Sequence, residues 1–151
     1  MYKEIALFAE NLGATVEFNA PMKKYTSFKC GGNASVLIIP NSIDSLNKII
    51  EQCEEAPILF IEDISENHYH IDRMLQNLRL SGVFEKISGL VVGQFTDCAD
   101  DVSMGCSLLE SIRQIAEPYS FPILFDYPSG HIDSNYPLLF SQEYHLFVTK
   151  F

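Results

Sequence analysis

The sequence predicts an α/β fold built on a largely parallel sheet with flanking helices. Three short apolar runs, at 57–61, 87–92 and 122–125, read as buried strands, and segments of helical periodicity separate them. Continuous apolar runs belong to strands covered on both faces, and such strands are usually parallel. Strand and helix alternate through the middle of the chain, the order that produces a parallel sheet. The expected architecture is a single compact domain of this kind, closed by a terminal β-strand pair and preceded by a βαβ-type appendage.

The elements follow in order. Ile5, Phe8 and Leu12 recur at three- and four-residue spacing, which predicts a helix over 2–12 that Gly13 ends. Residues 14–18 suit a strand, and the polar, proline-containing stretch 19–29 suits a loop. Cys30-Gly31-Gly32-Asn33 is a turn signal. Residues 35–39 are apolar and β-branched, a strand stopped by Pro40. Ser42 caps a helix to about residue 53, with Ile43, Leu46, Ile49 and Ile50 on one face. The apolar run at 57–61 ends in Glu62 and Asp63. A helix over 69–80 presents Ile71, Met74, Leu75 and Leu78, and Gly82 lies near its end. The strand at 87–92 leads into a polar loop over 93–105. A helix covers 107–116, and the strand at 122–125 runs into Pro128-Ser129-Gly130-His131. Residues 138–140 and 145–148 form the expected terminal strand pair.

Composition narrows the function. In 151 residues, 47% are hydrophobic and 20% charged, ample for a folded core without metal or disulfide. The formal net charge of −10 repels phosphate backbones and anionic lipid, so neither nucleic acid nor membrane is an expected partner. Cys30, Cys53, Cys98 and Cys106 lack C-x-x-C spacing, as neutral thiols of a reducing cytoplasm would. The start of the chain lacks the pattern of a signal peptide, and no apolar run is long enough to span a bilayer. A cytoplasmic protein is expected.

Glu62 and His131 both fall at the carboxyl ends of expected strands, the edge where ligand sites of open α/β sheets gather. A histidine oriented by a carboxylate is the general-base half of a nucleophilic triad. A surface glutamate and a loop histidine fit the same spacing. Asp63, Glu66, Asp97, Asp100 and Asp101 lack the pattern of a calcium loop, so no metal site is expected.

The stretch ILFIEDISENHYHIDRMLQNLRLSGVFEKISGLVVGQFTDC and the later PILFDYPSGHID resemble the murein LD-carboxypeptidases and the related microcin-immunity peptidases. The resemblance runs from about residue 57 to 148. It implies that Glu62 is the triad carboxylate and His131 the triad base of a serine peptidase. That family cleaves the bond between an L- and a D-centre in cytoplasmic muropeptides and releases terminal D-alanine. The family's serine sits on a preceding domain, which this sequence does not show. Ser129 has nothing around it like a nucleophile elbow, and a loop serine satisfying a turn accounts for it.

NAPMKKYTSFKCGGNASVLIIPNSIDSLNKIIEQC resembles the opening of the FAD-binding domain of UDP-N-acetylenolpyruvoylglucosamine reductases. The glycine-rich loop expected to hold the FAD pyrophosphate does not follow. LD-carboxypeptidases also carry a Gly-Gly-Asn segment ahead of the Glu-Asp strand, near the substrate. Gly31, Gly32 and Asn33 therefore fit either family, and under the peptidase resemblance they are substrate-binding candidates. The implied organisation is a reductase-like fragment over 1–56 joined to an LD-carboxypeptidase-like domain over 57–151. The expected function is a half-site of muropeptide recycling without its nucleophile, inactive alone and without cofactor, able to take a muropeptide-like ligand. A non-catalytic binding or remnant domain is one alternative, and a reductase fragment using FAD is the other. An interface left bare would favour a homo-oligomer.

Overall fold

The computed structural model describes residues 2–25, 29, 32–53 and 56–138. These fall into two compact units, the first within 1–55 and the second beginning at Ala56.

In the first unit, helix α1 spans Tyr2–Asn11, strand β1 Thr15–Pro21, strand β2 Asn33–Ile39 and helix α2 Ile43–Ile50. Ala9, Ala14 and Ile49 form its small core, with Ile5, Phe8, Leu12, Val16 and Ile38 packed against them. The side chains spaced along α1 thus cover the β-branched face of the hairpin. Ser42 caps α2 in a reciprocal box with Ser45, each side chain bonding the other's main-chain N–H. Where the sequence order suggested a βαβ-type appendage, β1 and β2 pair antiparallel, with Thr15 opposite Ile39 and Phe18 opposite Val36. Residues 22–32 join them, and antiparallel pairing needs no crossover helix.

In the second unit, strand β3 spans Ile58–Ile64, helix α3 His68–Leu80, strand β4 Gly89–Thr96, helix α4 Leu108–Ala116 and strand β5 Ile123–Leu124. The strands form a parallel sheet in the order β3-β4-β5. The central strand β4 is the most buried, as its apolar sequence requires: Leu90 and Val92 are fully covered. Ile71 and Leu75 of α3, with Leu108, Ile112, Ile115 and Ala116 of α4, supply helical side chains to the core. Val83, Phe84 and Ile87 of the α3–β4 connection are buried with them.

Strand β4 runs on to Thr96, through the glycine at which the sequence predicted a loop. Pairing decides the matter: Phe95 lies opposite Asp63 and Thr96 opposite Ile64, so the ladder continues past Gly93. Of the terminal strand pair, only Leu138 is described, and it is in no strand; the rest lies outside the described residues. Among the described residues, no helix is long and apolar enough to cross a membrane.

Helix α4 is capped twice. The Ser107 side chain accepts from the Glu110 N–H at 3.2 Å, and Asp100 Oδ1 accepts from the Leu108 N–H at 2.7 Å. Ser107→Ala is expected to cost about 1 kcal/mol, the usual worth of an N-cap. Chemical denaturation checks it; an unchanged midpoint would mean that Asp100 caps the helix alone.

Candidate functional site

The site begins with an irregularity in the β3–β4 ladder. Ile61 pairs with Val92, but Asp63 pairs with Phe95. Strand β4 therefore has one residue more than β3 between these pairs, a bulge at Gly93 and Gln94 beside Glu62. Bulges bend a strand and re-aim its neighbours.

A second segment exploits that bend. After β5, Asp126 takes a left-handed φ of 60°, and the chain rejoins β4 beyond the regular ladder. The Tyr127 N–H donates to the Val92 carbonyl at 3.0 Å, and the Gln94 N–H donates to the Ser129 carbonyl at 2.9 Å. The Gln94 side chain adds bonds to Asp126 Oδ1 at 2.7 Å and the Tyr127 carbonyl at 3.1 Å. The strap over 127–131 thus crosses the end of β4 and travels toward β3.

Two glycines make the crossing possible. A Cβ on Gly93 would stand 2.5 Å from the Ser129 carbonyl oxygen and 2.8 Å from the Phe60 ring. A Cβ on Gly130 would meet the Gln94 carbonyl oxygen at 3.1 Å and Glu62 Oε2 at 3.2 Å, and Gly130 has a φ of +139°. Side chains rarely adopt that conformation.

The strap delivers His131 to Glu62. Nδ1 of His131 lies 3.0 Å from Glu62 Oε2, across 69 residues of sequence. With an ionised carboxylate as acceptor, the network assigns the proton to Nδ1 and leaves Nε2 as the basic nitrogen. Both side chains are a little over one quarter exposed. They are screened from bulk water on most sides yet open to a reactant. Thr96 Oγ1 donates to the His131 carbonyl at 3.1 Å. Glu62 lies within β3 rather than just past its end, and the bulge turns attention to it because it stands opposite no regular partner.

Ser129, Gly32 and Asn33 make other bonds. Ser129 contributes its main chain: its N–H donates to the Tyr127 carbonyl at 2.7 Å, and its carbonyl accepts from Gln94. Gly31 lies outside the described residues. Gly32, in the first unit, accepts the Met22 N–H at 3.0 Å. Asn33 starts β2, and its Nδ2 donates to Asn19 Oδ1 at 3.1 Å. Among the described residues, no group of three His, Cys, Asp or Glu side chains is placed to hold a metal ion.

Two further histidines were passed over in the sequence. His70 bonds Glu66 at 2.6 Å, a local pair on the solvent side that pulls the Glu66 carboxyl below its usual range. His68 is the first residue of α3 and only 1% exposed. Its Nδ1 accepts from the Asp101 N–H at 3.4 Å, so Nε2 carries the proton and donates to Ser111 Oγ at 2.8 Å. Cys106 Sγ lies 3.2 Å from the same Ser111 oxygen. The Asp101 carboxyl, bonded to the Ser103 hydroxyl and N–H, is held below its ordinary value. Hydrogen bonds thus tie the loop after β4 to both helices through one buried ring.

Comparison with known proteins finds relatives of two kinds. The family model described as the LD-carboxypeptidase C-terminal domain matches residues 28–146. The probable murein peptide carboxypeptidase of Bacillus subtilis is 36% identical over 105 residues, which is 67% of this chain and 30% of that protein. A UDP-N-acetylenolpyruvoylglucosamine reductase of Syntrophomonas wolfei is 27% identical over 122 residues, 80% of this chain and 38% of that one. The crystal structure of muramoyltetrapeptide carboxypeptidase from Oxalobacter formigenes superposes with a TM-score of 0.47 at 28% identity, covering 60% of this chain and 34% of that one. The chain therefore spans about a third of the length of each of these relatives.

Proposed function

Because the chain belongs to the LD-carboxypeptidase C-terminal domain family, we propose that it carries the acid–base half of a serine-type LD-carboxypeptidase site. The observation that carries this reading is the His131 Nδ1 to Glu62 Oε2 hydrogen bond at 3.0 Å. His131 is the general base and Glu62 the carboxylate that fixes its tautomer. The serine comes from outside this stretch of 151 residues, as the resemblance implies. The substrate is a muropeptide tail with a D-amino acid at its end. By the same resemblance, Gly31, Gly32 and Asn33 are substrate-binding candidates.

The chemistry divides between the two residues. As the serine oxygen attacks the carbonyl carbon, its proton passes to Nε2 of His131. The resulting imidazolium keeps both ring protons, with Nδ1–H still held by the Glu62 carboxylate. The imidazolium then gives the Nε2 proton to the leaving amine, and D-alanine departs. A water molecule attacks the acyl-serine, with His131 again taking the proton, and the serine is restored.

The test is D-alanine release from a murein tetrapeptide. The 151-residue chain alone is expected to release none that can be measured. Mixed with the serine-bearing amino-terminal part of the Bacillus relative, it is expected to restore release. His131→Ala should then lower the rate by roughly 10⁶-fold, the scale of losing the histidine of a serine triad. Release by the chain alone that disappears in Ser129→Ala would overturn the proposal and make Ser129 the nucleophile.

A further inference from the structure

We propose that Thr96 is the positioning residue of the Glu62–His131 pair, clamping the two segments that carry it. The inference rests on the acid–base reading above and goes beyond it, because Thr96 touches neither reactant. Its main-chain carbonyl accepts the Ser65 N–H at 2.8 Å, three residues beyond Glu62 on the same chain segment. Its side-chain hydroxyl donates to the His131 carbonyl at 3.1 Å. One residue at the end of β4 thus holds the exit of β3 with its backbone and the strap with its side chain.

The clamp matters because of what precedes His131. Gly130 is a hinge at φ +139°, a conformation with little steric resistance to rotation in glycine. The strap is anchored on both sides of that hinge. On one side Gln94 N–H holds the Ser129 carbonyl; on the other Thr96 Oγ1 holds the His131 carbonyl. The Gly130 N–H itself donates to Asn135 Oδ1 at 3.1 Å, within the loop rather than to the sheet. Without the hydroxyl, the His131 peptide loses this tie to β4 and turns more easily about Gly130. The imidazole then meets Glu62 in fewer molecules. A histidine side chain in water prefers the Nε2–H tautomer, so molecules that leave Glu62 shift toward it. That tautomer puts the proton on the nitrogen that must be basic, which makes Thr96 a control on the base and not merely on stability.

The experiment reads the tautomer directly, by nitrogen-15 NMR of the His131 ring in the 151-residue chain, at a pH where the ring is neutral. Wild type is expected to show mainly Nδ1–H. Thr96→Val, nearly isosteric but without the hydroxyl, is expected to shift the tautomer ratio toward Nε2–H by about 5-fold, the scale of one hydrogen bond. Thr96→Ser should restore the wild-type ratio. Should Thr96→Val fail to fold, Thr96→Ala takes its place. Glu62→Ala is the reference for the pair itself. A shift in Glu62→Ala with none in Thr96→Val overturns the clamp and leaves the acid–base reading standing. No shift in either overturns both. A Thr96→Ser chain that behaves like Thr96→Val also overturns the proposal, because it would make the methyl group, and not the hydroxyl, the feature that counts.

Discussion

Gly93→Ala is expected to remove the Glu62–His131 hydrogen bond from a distance and to destabilise the second unit by about 2 kcal/mol, as overpacking of a tight site does. The added methyl would stand 2.5 Å from the Ser129 carbonyl oxygen and 2.8 Å from the Phe60 ring. Neither neighbour is the free end of a flexible chain. The first is main chain, held by the Gln94 N–H, and the second is the tip of a partly buried ring packed edge-on to Tyr127. The strap is the more movable of the two, so it lifts, and His131 lifts with it. Denaturation would give the stability loss, and the nitrogen-15 signals of His131 would give the lost Nδ1–H form. A Gly93→Ala chain with wild-type stability and an unchanged ring would show that the strap does not lie on Gly93 in solution.

His68→Ala is expected to cost more, about 3 kcal/mol. Two effects add. Removing a buried ring leaves a cavity that helices on either side cannot fully close. It also takes the acceptor from the Asp101 N–H and leaves the Ser111 oxygen with the weaker Cys106 thiol as partner, and lost hydrogen bonds in a covered site are costly. The comparison is His70→Ala, two residues along the same helix. That ring is about one third exposed and bonds only across solvent-facing surface, so its loss should be far less damaging. Equal effects of the two substitutions in denaturation would contradict the buried network. The rank order follows from burial and not from hydrogen bonding, since His70 has the shorter bond.

The unequal legibility of these residues has physical causes. Strand β4 was readable because burial on both faces writes an unbroken apolar run into the sequence; β3 and β5 carry the same kind of run although they are only partly covered. Glu62 and His131 stood out by lying near strand ends and by family resemblance, although on spacing alone a surface glutamate and a loop histidine are the commoner account. The strap could not be read. It depends on a bulge, and a bulge is a property of two strands in register, whereas Gly93 taken singly marks a break. The same holds for Gly130, which reads as a turn glycine until the Glu62 carboxylate is found 3.2 Å from its absent side chain. His68 was missed because periodicity starts the helix one residue later, and a polar residue at a helix start is ordinarily wet. Nothing local says that a loop more than thirty residues on will cover it. The antiparallel pairing of β1 and β2 was missed because strand order was read as though every strand joined one sheet.

The bulge also has a consequence for how the molecule matures. Glu62 and His131 come from β3 and from the strap after β5, and β3 and β5 are not neighbours in the sheet but lie on either side of β4. Their bond closes a span of 69 residues. Contacts so distant in sequence are entropically costly to form early and become cheap only when intervening structure has already brought the ends together. Here that structure is β4, threaded between its two partners with its extra residue in place. A chain that has collapsed but not yet set this register holds a glutamate and a histidine and no pair. The Glu62–His131 bond is therefore expected to form only once β4 has paired in register with the strands on either side of it.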